Sequence, residues 1–129
     1  MNKLPPGFLS LFAVLGFPLY SAGTCAQNAA AVAAGQTVFQ LRCAPCHGSD
    51  RGADPSHPLL PGTDALRIKY RGRLPALLEQ RTDLPAPVLG AFVRHGTWSM
   101  PPFRKTEISD ADIDNIAAYL AMTAKRAGR

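Results

Sequence analysis

The chain has 129 residues, enough for one domain, and a hydrophobic fraction of 47% that excludes a disordered chain. Fourteen Lys and Arg against nine Asp and Glu give a formal charge of +5, but charged residues are only 18% of the chain and are spread along it, which excludes a nucleic-acid footprint. Twelve prolines and eleven glycines exclude a plain helical bundle, and three cysteines, an odd number, argue against a pure disulfide framework.

Residues 1–26 read as an export signal. Lys3 is the only charge before Arg42. The apolar run Phe8–Leu19 has the length of a signal-peptide core and falls short of the ~20 residues that span a bilayer. Thr24 and Ala26 fit a cleavage site, so the cut is expected after Ala26, with Ala22 or Ala31 as alternatives. Residues 27–129 would then form the mature domain in the periplasm, off the membrane. Cys25 leaves with the signal in this reading. Lipidation at Cys25 is the alternative, and Thr24 before it is a poor residue for that.

A first helix is expected from Ala31 to about Cys43, with Val32, Gly35, Val38, Phe39 and Arg42 at helical spacing. Gly35 costs such a helix ~1 kcal/mol against Ala, so close approach of another helix would account for it. Then comes Cys43-Ala44-Pro45-Cys46-His47, the attachment signature for c-type haem. Two thiols three residues apart can form thioethers to the two vinyl groups on one porphyrin edge, and His47 then lies under the iron as proximal ligand. Two other readings stand beside it. A thiol redox pair needs a βαβ setting, and no strand precedes Cys43. Structural zinc needs four ligands, and only three are crowded here.

Residues 48–62 read as loop, followed by the basic cluster Arg67, Lys69, Arg71 and Arg73. That cluster either pairs with haem propionates, with Arg71 and Tyr70 as their neighbours, or steers an acidic partner, or is a solvated loop. Short helices are expected over Arg73–Arg81, with Pro75 in the first turn, and over Pro85–His95, ended by Gly96. Met100 follows in Thr97-Trp98-Ser99-Met100-Pro101-Pro102-Phe103, where two prolines stiffen the chain behind a thioether. Met100 is therefore the leading candidate for the sixth iron ligand. His95 and an open position are the alternatives, and Met122 reads as core filler on a helix. Trp98, two residues before Met100, is expected in the haem-pocket wall. The last helix starts at Ser109, with Asp112 completing a capping box and Ile113, Ile116, Ala117 and Leu120 forming its apolar stripe. No alternating strand stands out, so the expected fold is all-α, wrapped around one covalent haem c with its iron.

Over residues 31–125 the chain resembles the small class I c-type cytochromes. The parts come in that family's order: Gly35 and Phe39, Cys43-x-x-Cys46-His47, Pro58-Leu59-Leu60-Pro61-Gly62, Met100-Pro101, and Ile116-Ala117-Ala118-Tyr119-Leu120. The resemblance implies that Gly35 and Phe39 pack against Tyr119, and that the Pro58 carbonyl accepts a hydrogen bond from His47. His57 stands where the family usually has Gly before that proline. It also implies electron transfer rather than enzymatic catalysis. A narrower likeness runs through Pro75–Leu84, Arg94-His95-Gly96 and Met100–Arg104, which look like cytochromes that accompany flavin-containing dehydrogenases or hydroxylases, the para-cresol methylhydroxylase type among them. It implies a flavoprotein redox partner. The competing readings are a haem enzyme or sensor with an open sixth position, and a thiol protein without haem.

Overall fold

The computed structural model describes residues 22–49 and 59–129. The apolar run Phe8–Leu19, His57 and Pro58 lie outside the described residues. Among those described, the chain is helical with no strand. No helix among them is long and apolar enough to cross a membrane.

Helix α1 (Ala22–Arg42) begins nine residues before the expected start at Ala31. Ala-rich sequence propagates a helix without needing a buried face, and residues 25–30 are exposed accordingly. Core contact starts at Val32. The long helix α5 (Asp110–Ala127) has the expected cap. Asp112 N–H donates to Ser109 Oγ at 3.1 Å, and Ser109 N–H donates to Asp112 Oδ2 at 2.9 Å. Its stripe buries Ile113, Ile116, Tyr119, Leu120 and Ala124.

α1 and α5 form the frame of the domain, and Gly35 is where they meet. A Cβ placed at Gly35 would lie 1.9 Å from the Asn115 carbonyl oxygen and 2.9 Å from the Ile116 nitrogen. One turn along, the Phe39 and Tyr119 rings pack at 5.4 Å between centroids. The Tyr119 hydroxyl donates to Glu79 Oε1. Burial first, and then this bond, push the phenol up to about 12.

Helix α4 (Ala86–His95) starts after Pro85, ends at Gly96 as expected, and contributes Leu89 and Val93 to the core. Two expectations fail between α1 and α4. The segment Arg73–Arg81 is not a helix. It runs through bends to a single 3₁₀ turn at Leu78–Gln80, because Pro75 disfavours helical geometry at Leu74 and Leu77 is extended (ψ 124°). Conversely, residues expected as loop and basic cluster form helix α3 (Pro61–Tyr70). Pro61 stands at its first position, where a missing N–H costs nothing and φ is already set. Its only buried residue is Thr63, so it has no apolar stripe to read.

Candidate haem-binding site

The signature pentapeptide continues α1 into a short helix α2 (Ala44–His47). Cys43 N–H donates to the Phe39 carbonyl at 2.9 Å, His47 N–H to the Cys43 carbonyl at 2.8 Å, and Gly48 N–H to the Ala44 carbonyl at 2.9 Å. Both thiols and the imidazole therefore sit on one tightly bonded turn. Cys43 and Cys46 are free thiols, Cys43 half-buried and Cys46 exposed. Burial, and then the neighbouring Cys46, push the Cys43 thiol up to about 11. A disulfide-exchange pair needs the opposite, a depressed thiol. Among the described residues no three His, Cys, Asp or Glu side chains converge as a metal cluster.

His47 is half-buried, and burial pushes its imidazole below the usual range. The neutral ring is the form that ligates a metal. Its Nδ1 is buried and has no hydrogen-bond partner among the described residues. Pro58, the expected acceptor for it, lies outside them. The face of the ring that carries Nδ1 is covered by the first turn of α3. A Cβ on Gly62 would lie 2.7 Å from His47 Cε1, 2.8 Å from Nδ1 and 2.7 Å from the Cys46 carbonyl oxygen. Beside it, Thr63 Oγ1 donates to the Gly48 carbonyl at 3.0 Å.

Met100 is half-buried against the core. Its loop is held at three points besides its prolines. Gly96 closes α4 with φ +66°, and a Cβ there would lie 2.5 Å from the Met100 carbonyl oxygen, so a larger residue fits neither the conformation nor the space. Thr97 and Met100 exchange both backbone hydrogen bonds, at 3.0 and 2.9 Å. Phe103 N–H then returns to the Val93 carbonyl at 2.8 Å. Arg94 braces the same segment, donating to the Phe103 carbonyl at 3.1 Å and pairing with Asp110 at 2.7 Å. Trp98 occupies the tip with φ +52° and a fully exposed side chain.

The alternatives to Met100 have other duties. The His95 ring bonds the Ala91 carbonyl of its own helix at 2.9 Å, and Met122 packs on the core. Tyr70 and Arg71 lie at the far end of α3, about 12 Å along the axis from Gly62 at 1.5 Å per residue. Tyr70 is flanked by Lys69 Nζ at 5.3 Å and the Arg81 guanidinium at 4.6 Å from its ring centre. Arg71 caps the helix in the left-handed region (φ +49°) and is exposed. Gly62 carried a motif signal in the sequence. Arg94 stood in the tract Arg94-His95-Gly96, whereas Thr63 carried no signal, because it acts through the carbonyl of Gly48 on a separate segment.

These residues fit a covalently held porphyrin. Two free thiols share one turn with a neutral imidazole whose inner nitrogen is buried, and a thioether stands on a separately anchored loop. The comparisons agree. Residues 30–120 match the family model described as cytochrome C oxidase, cbb3-type, subunit III. Cytochrome c6 of Picosynechococcus sp. (strain ATCC 27264 / PCC 7002 / PR-6) is 35% identical over 94 residues, which is 72% of this chain and 74% of that protein. No solved structure matches. The chain thus belongs to the c-type cytochromes, in the domain family named for subunit III of the cbb3-type oxidase, and is an electron-transfer protein rather than an enzyme, with covalently attached haem c and its iron as cofactor.

Proposed function

We propose that the chain is a periplasmic one-electron carrier. Cys43 and Cys46 would hold the haem, and His47 and Met100 would ligate its iron. The bound haem supplies a ferric/ferrous couple, and a His/Met ligand pair raises its potential relative to other axial sets. His47 stays neutral because burial disfavours its charged form. Met100 is presented by a loop whose ordering cost is met by bonds internal to the fold. With His47 and Met100 both as ligands, the iron would have no position for a substrate. The observation that carries this reading is the pairing of the Cys43–His47 turn with the separately fastened Met100 loop.

The partner side rests on charge. Arg67 pairs with Asp64 and Arg81 with Asp83. Lys69, Arg71 and Arg73 are exposed and have no carboxylate partner among the described residues. Ile68, 58% exposed, sits among them. A cationic face around an apolar spot suits a redox protein with an acidic docking surface. The exposed Trp98 suits the same role, or a wall that meets haem alone. A flavoprotein dehydrogenase as donor, with a respiratory acceptor downstream, is supported by the sequence tract Pro75–Leu84 and its companions. The cut after Ala26, Pro58 as acceptor for His47, and Tyr70 and Arg71 as propionate neighbours belong to the same reading.

The test is spectroscopy of protein recovered from the periplasmic fraction. The ferric form should show the near-infrared band of sulfur-to-iron coordination, and Met100→Ala should abolish it and open the reduced form to CO. A wild type that lacks the band and binds CO rapidly is a protein with an open sixth position, and the carrier reading fails.

A further inference from the structure

We infer that the first turn of α3, through Gly62 and Thr63, sets the orientation of the His47 ring, so that both are positioning residues for the iron. The inference rests on the reading of His47 as axial ligand.

A four-residue helix such as α2 has no stability of its own, because helix nucleation is unfavourable. Its position is set by what it is tied to. One tie is its continuation from α1, through Cys43 N–H to the Phe39 carbonyl. The other is Thr63. This side chain is fully buried, the only one in α3 that is, and its hydroxyl is spent on the carbonyl of Gly48, the residue directly after His47. Gly48 is itself buried, so without the hydroxyl its carbonyl would lose a partner it cannot replace from solvent.

Gly62 acts on the ring itself. The backbone of α3 lies so close that an added methyl would stand 2.7–2.8 Å from two ring atoms and from the Cys46 carbonyl. The obstacle is partly backbone, so no rotamer change relieves it. Pro61 makes this wall stiff by fixing φ at the first helical position. The ring is thus held on one side by α3 and from below by the tied α2 turn. Outer-shell contacts of this kind orient a metal-bound histidine and tune the metal.

The experiment compares holoprotein of wild type, Thr63→Val, Thr63→Ser and Gly62→Ala. Midpoint potential and the paramagnetically shifted His47 and haem-methyl proton resonances are read beside thermal unfolding. Thr63→Val, which keeps shape and loses the hydroxyl, should move both the resonances and the potential. Thr63→Ser should return both to wild-type values. Gly62→Ala, with the Thr63 bond still available, should move the same His47 resonances. If Thr63→Val only melts earlier while resonances and potential stay in place, Thr63 is an ordinary core bond and the inference is overturned. Gly62→Ala decides the matter alone if Thr63→Val does not accumulate, and unchanged His47 resonances then overturn it. A wild type whose His47 resonances carry no paramagnetic shift instead defeats the ligand assignment beneath it.

Discussion

Replacing Gly35 by Ala puts a methyl carbon where α1 and α5 touch backbone to backbone. The nearest atom would be the Asn115 carbonyl oxygen at 1.9 Å, against the 3.4 Å at which ordinary contact begins, with the Asn115 carbon at 2.4 Å. None of these atoms belongs to a side chain that can swing away. The helices must part by about 1.5 Å, and a gap of that order forfeits much of the dispersion energy across it. Phe39, Ile116, Tyr119 and Leu120, all at or below 4% exposure, line that seam. Overpacking of a tight core costs ~1–3 kcal/mol, and the backbone obstacle puts this site at the top of that range. The better helix propensity of Ala returns ~1 kcal/mol. A net loss of ~2 kcal/mol lowers the melting temperature of a domain this size by about 8–16 °C. Thermal unfolding of the holoprotein, followed by helical circular dichroism, measures it. Gly90→Ala is the control, since a Cβ there meets only Ile113 side-chain atoms at 3.7 Å or beyond and should leave stability equal or slightly raised. A Gly35→Ala protein that melts as high as Gly90→Ala refutes the close crossing.

Three further outcomes follow from the same structure. Ser109→Ala removes the acceptor for Asp112 N–H at the start of α5 and should cost ~1 kcal/mol by denaturant titration. The Arg81 guanidinium, buried to 5% exposure, holds the Asp83 carboxyl below the usual range through two hydrogen bonds. That stabilisation is fully present above an unfolded aspartate value of ~3.9 and is lost as pH falls through the lowered folded value. Asp83→Asn should flatten the acid limb of the stability curve. At neutral pH it should cost about 1–2 kcal/mol, less than a fully buried pair because Asp83 is 42% exposed. Gly96→Ala strains a φ of +66° and collides with the Met100 carbonyl, so the near-infrared sulfur band should weaken while haem stays attached, and an unaltered ferric spectrum would count against the loop geometry.

What could be read from the sequence was what side chains announce locally. α5 declared itself by its cap at Ser109 and its stripe from Ile113 to Leu120, and α4 by Pro85 and Gly96 at its two ends. Gly35 was legible because a glycine inside a helix asks for a reason. α3 was not, because it meets the rest of the protein through Gly62, which has no side chain, and Thr63, which is polar. Apolar periodicity cannot report a helix that docks by backbone contact. The opposite error arose at Arg73–Arg81. Leu74, Leu77 and Leu78 have helical spacing, yet the segment serves side-chain partners from elsewhere, Tyr119 for Glu79 and Tyr70 for Arg81. A buried cation and a buried phenol pair are tertiary facts without a local signature.

The same contrast explains how so small a domain can hold His47 and Met100, the proposed iron ligands, at fixed positions. A chain of this length buries a modest core, and here that core lies mainly between α1, α4 and α5. His47 and Met100 lie at its margin, each half-buried, on segments too short to be stable alone. Each is fixed by a glycine that lets another backbone come within contact, Gly62 against His47 and Gly96 against Met100, with one buried or braced polar side chain beside it, Thr63 in the first case and Arg94 in the second. Backbone contact tolerates no rotamer change, so it locates a segment more tightly per atom than a leucine does. The placement of His47 and Met100 therefore depends on positions that hydrophobicity scales count as neutral.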